Sequence, residues 1–165
     1  MHLSMTQRFA CTPDALMSVL DDPSFDARMA AATGVAREIL ERREDASGLY
    51  VRSRVIANKE IPAVMAKAIG ADRISYDQES RRAPGSFDIA WTIIPMVLAN
   101  KFEGSGTTTL RATKDGCERI IEGELSVKVP LVGKQMESKL VDNVKESYER
   151  AATLANEMLR ERGLI

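Results

Sequence analysis

Few residues in this sequence could make or break a bond. The single histidine, His2, sits beside the start of the chain, so a Ser-His-Asp or Cys-His arrangement lacks its base. The two cysteines, Cys11 and Cys117, stand far apart with no CxxC spacing. With no histidine pair beside them they form no tetrahedral set for zinc, and no metal is expected. They read as small buried apolar residues of a reducing compartment. Glu122 and Glu124 share a strand face, but Leu125 and Val127 take the opposite one, which makes them a solvated pair rather than an acid–base couple. Gly104-x-Gly106 lacks the third glycine and following helix of a dinucleotide site, so no cofactor is expected. Arg52 and Arg54 are expected in solvent. What remains are polar groups on apolar faces. Tyr148 borders a helical stripe, Ser53 shares a face with Val51 and Val55, Tyr76 alternates with Ile74 and Gln78, and Trp91 stands among Phe87, Ile89 and Ile93. Each could supply the one hydrogen bond that orients an apolar ligand, or simply find a partner in the core. The chemistry on offer is recognition.

Bulk properties narrow the class further. A chain of 165 residues is expected to form one domain, residues 1–165, with a core large enough to need no staples. Its net charge of −1 sets up no global field for nucleic acid, and no nucleic-acid partner is expected. The opening MHLSMTQRF carries no apolar leader segment. The longest apolar run, Ile89–Ala99, contains Thr92, is broken by Pro95 and is about half a membrane span. A soluble, cytoplasmic protein is expected.

The elements that must hold these residues follow from period and punctuation. Between Pro130 and Arg162, Met136, Leu140, Val144, Ala151, Leu154, Ala155 and Met158 fall on one helical face, with Tyr148 and Leu159 at its margin. About 27 helical residues reach roughly 40 Å, so this helix needs a long apolar surface to lie on. The centre of its stripe is small: Val144, Ala151 and Ala155 leave volume for bulky partners or for a ligand. Upstream, Met1–Ala10 reads as a strand. Thr12 and Pro13 open a helix at its N-cap and first position, and Asp21-Asp22-Pro23 ends it. A second short helix runs from a capping Ser24 to Ala32. Val35–Glu44 and Leu49–Ala57 are strands about the turn Ala46-Ser47-Gly48, the second with Leu49, Val51, Val55 and Ala57 on one face and Tyr50, Arg52 and Arg54 on the other. Ile61–Ile69 then interrupts as a two-turn helix with Ile61, Val64, Met65, Ala68 and Ile69 on its apolar side, either a packed connection or a flap over a cavity mouth. Asp72–Arg81 is a strand, and Phe87, Ile89, Trp91 and Ile93 alternate strictly in the next. Leu98–Glu103 follows, Gly104-Ser105-Gly106 reads as a corner or bulge, and Thr107–Thr113 and Cys117–Val129 pair about the turn Lys114-Asp115-Gly116.

A strand, two short helices, hairpin-linked strands and one long helix make an α+β, helix-grip arrangement: a curled antiparallel sheet of about seven strands around a long C-terminal helix. The stretch Gly123-Glu124-Leu125-Ser126-Val127-Lys128-Val129-Pro130-Leu131-Val132-Gly133-Lys134, with TPDALMSVLDDPSF and IPAVMAKAIG, resembles the bacterial family of unknown function DUF2505. That family lies within the START-like (SRPBCC, birch-pollen-allergen-like) superfamily. The resemblance implies an internal apolar cavity between sheet and helix. It therefore implies binding or transport of a lipid, sterol, polyketide-like or other hydrophobic small molecule, with transient membrane contact. Two alternatives stand beside it: a polyketide cyclase/aromatase-like enzyme in which Tyr148 or Tyr76 moves a proton, and an interaction module whose cavity is filled by side chains. The expected walls are Phe87, Ile89, Trp91 and Ile93 on the sheet and Val144, Tyr148, Ala151 and Ala155 on the helix, with Met65 near the mouth.

Overall fold

The computed structural model describes residues 1–96 and 100–165, and of residues 57–60 and 68–69 the backbone alone. In chain order the elements are β1 (His2–Phe9), α1 (Pro13–Leu20), α2 (Pro23–Thr33), β2 (Val35–Asp45), β3 (Gly48–Glu60), α3 (Ala63–Ile69), β4 (Arg73–Arg82), β5 (Asp88–Pro95), β6 (Phe102–Thr113), β7 (Gly116–Val127) and α4 (Gly133–Glu161). The strands form one antiparallel sheet in the order β1-β7-β6-β5-β4-β3-β2. Strands β2 to β7 are a meander, and β1 closes against β7 with Phe9 opposite Cys117. The 29 residues of α4, about 43 Å at helical rise, grip this sheet from its covered side.

The short helices obey local punctuation. Thr12 accepts a hydrogen bond from the Ala15 amide at 3.2 Å and Pro13 takes the first helical position. Helix α2 repeats that grammar ahead of the expected cap: Asp22, not Ser24, is the N-cap, accepting from the Ser24 amide at 2.7 Å with Pro23 behind it. Proline at the first helical position forces the cap onto its predecessor. Gly34, at φ 69°, ends α2 in the left-handed region.

Three further expectations need correction. Residues Gly104–Gly106 form neither corner nor bulge: β6 runs unbroken and pairs Gly104 with Ile93 and Leu125, and Gly106 with Trp91 and Gly123. The glycines are there for room. A Cβ on Gly106 would lie 2.5 Å from Trp91 Cζ2, and one on Gly123 2.6 Å from Trp91 Cη2, so the indole lies flat across two strands that have no side chain beneath it. Val64 does not join the apolar side of α3; it is 72% exposed while Met65 is buried. On α4 the buried stripe takes in Val141 and a fully covered Leu159, while Leu140 is half-buried. Arg52 and Arg54 do reach the outer face, but both are spent on Asp77, at 2.8 and 2.9 Å. Leu98, and the side chains of Ala57, Ala68 and Ile69, lie outside the described residues.

The core divides into two lobes. One gathers Phe9, Cys11, Leu16, Val19, Leu110, Cys117, Ala155 and Leu159, where α1, α2 and the C-terminal half of α4 meet the sheet. The other gathers Leu3, Met65, Trp91, Ile121, Leu125, Met136 and Val141 under the N-terminal half. Cys11 and Cys117, distant in sequence, are close enough in the first lobe for their thiols to hydrogen-bond.

Candidate functional site

Helix α4 is held at its two ends and loosely in between. No residue from 142 to 150 is buried, although the helix is covered on either side of that stretch. Beneath it, at the boundary of the two lobes, Gln7 and Arg119 meet Tyr148 of the helix. Gln7 of β1 is paired opposite Arg119 of β7. Arg119 donates to Gln7 Oε1 from Nε, at 2.8 Å, and from Nη2. Gln7 Nε2 and Arg119 Nη2 both donate to the Tyr148 carbonyl, at 2.9 and 3.4 Å. The guanidinium carbon stands 5.3 Å from the Tyr148 ring centre and 5.5 Å from that of Phe9, within the range of cation–π attraction. On β7 the flanking inward residues are Cys117 of one lobe and Ile121 of the other. The three residues therefore form a polar seam through an otherwise apolar interior.

Arg119 is 3% exposed. Burial pulls its pKa down to about 10, so it stays charged at neutral pH. Tyr76, on the inner face of β4, has its hydroxyl in dry surroundings that push its pKa up; Arg37 pulls the other way and the nearby Tyr148 hydroxyl adds to the rise. Trp91 is 7% exposed, and its indole Nε1 has no hydrogen-bond acceptor among the described residues. Such a buried donor costs about 1–3 kcal/mol when left unmet.

Along the flank of α4 that faces α3 and β4 opens a cavity of about 430 Å³. Its floor is apolar: Ile61, Met65, Ile74, Met136 and Leu140. Its rim is charged, with Asp142 and the ion pair Arg150–Glu146 at 2.7 Å. Met65 and Met136 belong both to this floor and to the lobe that contains Trp91, so the cavity and the buried indole share a wall.

Of the wall residues expected from the sequence, Met65 lines this cavity. Trp91 is buried in the adjoining lobe, with Ile93, Val144 and Tyr148 packed against it. Ala151 and Ala155 are buried in the other lobe, and Phe87 and Ile89 pack against that lobe. Ser53 is buried and Tyr76 is half-buried on the same covered face. Sequence reasoning missed Arg119 and Gln7. The signal was present: positions 117, 119, 121, 125 and 127 share one strand face, so alternation alone puts Arg119 among apolar residues. Ile74 was likewise seen only as a neighbour of Tyr76. Among the described residues no group of three or more His, Cys, Asp or Glu is placed to hold a metal ion, and no helix is long and apolar enough to cross a membrane.

Residues 4–159 match a family described as a protein of unknown function, DUF2505. No curated protein matches the chain. Among solved structures, the protein TTHA0849 from Thermus thermophilus superposes with a TM-score of 0.70 at 13% identity, over 98% of this chain and 99% of that one. A START superfamily protein from Mycobacterium smegmatis gives 0.63 at 17% identity, over 96% and 98%. The Zhui aromatase/cyclase from Streptomyces sp. R1128 gives 0.57 at 14% identity, over 95% and 89%. At these identities the likeness is one of fold: the START-like helix grip.

Proposed function

We propose that this chain, which belongs to the DUF2505 family of proteins of unknown function, binds a lipid, sterol, polyketide-like or other hydrophobic small molecule between its sheet and α4, and carries or senses it in the cytoplasm. The observation that carries the reading is the apolar floor beneath the flank of α4, in a cavity of about 430 Å³. That volume falls within the usual range for small-molecule sites, about 300–1,000 Å³. Burial of the ligand's apolar surface, at about 25 cal/mol per Å², supplies the affinity, reduced by the cost of ordering. Met65, Trp91, Ile93, Val144 and Tyr148 make the near wall in this proposal, and Phe87, Ile89, Ala151 and Ala155 close the far lobe.

Transient membrane contact belongs to the same reading. Val64 of α3, Met96 after β5 and Leu131 before α4 are exposed apolar residues at one end of the sheet, with exposed Lys67, Lys101 and Lys134 at that end too. Apolar tips among lysines suit a brief contact with an anionic bilayer. Co-sedimentation with phosphatidylserine vesicles, lost in Leu131→Glu, is the expected result. The cyclase/aromatase alternative has less support: a Tyr76 phenol whose pKa is raised is a poor base at neutral pH.

The test of the binding reading is a titration with Nile red, a neutral apolar dye, followed by competition with lipids and sterols. One dye per chain is expected, with a change in the emission of Trp91, the single tryptophan. Leu140→Trp, which projects a ring into the cavity, should hold stability within about 1 kcal/mol and weaken binding at least tenfold. A folded protein that binds no apolar compound at micromolar concentration ends this reading.

A further inference from the structure

Two charged side chains are buried among the described residues, and they are treated oppositely. Asp77, 3% exposed, receives both Arg54 and Arg52. Arg119, equally buried, receives no carboxylate among the described residues: its hydrogen bonds go to the amide oxygen of Gln7 and the carbonyl of Tyr148, both neutral. An ionised group out of water needs a counter-charge as well as hydrogen bonds, because the cost of moving it from water far exceeds what neutral acceptors return. The aromatic faces of Phe9 and Tyr148 soften that cost without cancelling the charge. The unfilled place is also directional. Gln7 occupies the edge of the fork formed by Nε and Nη2, and Nη1 has no partner among the described residues. Nη2 is spent twice, on Gln7 and on the Tyr148 carbonyl, so the nitrogen left to receive a carboxylate oxygen is Nη1.

The surroundings repeat the same preference. Trp91 Nε1 is a buried donor with no acceptor among the described residues, and it lies in the lobe that adjoins the cavity floor. An interior that holds a charged fork and an unmet indole N–H selects for acceptors. A single cation balances a single negative charge; a phosphate dianion would leave net charge buried, and a neutral hydrocarbon would leave the cation unanswered.

We infer that the ligand is an apolar carboxylic acid, whose carboxylate pairs with Arg119 at the seam between the lobes and whose apolar body runs under α4 past Trp91 toward Met65, Met136 and Leu140. This rests on the proposed binding function and narrows it to a chemical class. Arg119 sets specificity, Gln7 and Tyr148 hold its fork in place, and the apolar floor supplies the bulk of the affinity. Removing the acid's charge should therefore weaken binding without abolishing it.

The experiment compares dodecanoate with dodecanol, which share a chain and differ in the head, by displacement of Nile red at neutral pH. Wild type should prefer dodecanoate by at least tenfold, and Arg119→Met should bring the acid to the level of the alcohol. Gln7→Glu is the variant that does not depend on tolerance of a lost arginine. It places a carboxylate where Gln7 Oε1 already meets Arg119, so it should raise the melting temperature and erase the preference for the acid. Equal affinities for acid and alcohol in wild type would overturn the carboxylate inference and leave hydrophobic binding standing. Retention of the preference in Gln7→Glu or Arg119→Met would place the charge-reading group elsewhere and overturn it too. Dye binding that neither compound displaces would overturn the acid and leave hydrophobic binding standing.

Discussion

The arrangement of Trp91 over two glycines can be tested by adding a single methyl group. In Gly123→Ala the new Cβ would stand 2.6 Å from Trp91 Cη2, 2.7 Å from Cζ2 and 2.9 Å from the Ser105 carbonyl oxygen. Carbon atoms rest at about 3.5–4.0 Å, so the indole must give by roughly 1 Å, an overpacking that costs about 1–3 kcal/mol. Working against it, alanine restricts the unfolded chain and stabilises by about 0.4–1 kcal/mol where the backbone permits. The steric cost wins, for a net loss of about 1–2 kcal/mol. Trp91→Phe removes the outer ring atoms that collide, together with the indole N–H that has no acceptor. Its lost packing is partly offset, because an unmet buried donor itself costs about 1–3 kcal/mol. In the double variant the methyl fills vacated space, and the two changes should couple favourably by about 1 kcal/mol. Gly106→Ala is the control. Its Cβ would meet the Glu122 carbonyl oxygen at 2.1 Å and Gly123 Cα at 2.7 Å, backbone that cannot yield, so Trp91→Phe should not rescue it. Urea unfolding followed by circular dichroism gives all the required free energies, since the phenylalanine variant lacks the fluorophore. Strict additivity at Gly123, or equal rescue at Gly106, would refute the placement of the ring.

Three further outcomes are expected. Ala155 is fully covered in the first lobe, so Ala155→Phe should destabilise by about 1–3 kcal/mol in the same assay, in contrast to Leu140→Trp at the cavity. Burial raises the pKa of the Cys11 thiol and, with the neighbouring Cys11 sulfur adding to it, pushes Cys117 up to about 12; Ellman's reagent at pH 8 should label neither in the native protein and both after denaturation. Asp77 is held below the ordinary carboxylate range, first by hydrogen bonds from Arg54 and then by Arg52, against the opposing pull of burial. A depressed folded pKa means its contribution is fully present above about 3.9, the unfolded value, and is lost as pH falls through the folded one. Asp77→Asn should therefore be destabilising at pH 7, and its gap from wild type should close in urea titrations carried down to pH 2.5.

The frame of this fold was legible because its punctuation is local. Thr12-Pro13 and Asp115-Gly116 each act within a few residues, and strict alternation set the phase of Phe87, Ile89, Trp91 and Ile93. The misread positions carry residues with two meanings. A glycine pair in a strand marks either a bulge or room for a neighbour's ring, and choosing between them at Gly104 and Gly106 requires knowing that Trp91 lies alongside. Ser24 and Asp22 both cap well; what decides is that Pro23 suits the first helical position. At the site, the inward phase of Arg119 could be read from alternation, but its lack of a carboxylate could not, because Gln7 and Tyr148 reach it from sequence positions far away. The cavity was harder still. The sequence stripe on α4 includes Leu140, Val144 and Ala151 together, and only the curl of the sheet determines that the first borders open space while the last is packed.

The cavity's size constrains its contents. A dry void of about 430 Å³, at about 24 cal/mol per Å³ of unfilled core, would cost on the order of 10 kcal/mol, comparable to the whole stability of a domain, about 5–15 kcal/mol. A chain of this length could not keep such a space both sealed and empty. The cavity instead opens to solvent past Asp142, Glu146 and Arg150, so it is not a sealed void. Unfilled, the apolar floor lacks contacts, the buried indole N–H lacks an acceptor and the guanidinium lacks a counter-charge among the described residues. One apolar acid would relieve all three together: its chain displaces water from the floor, and its oxygens answer donors that no described side chain meets. Packing the same space with larger side chains would relieve only the first.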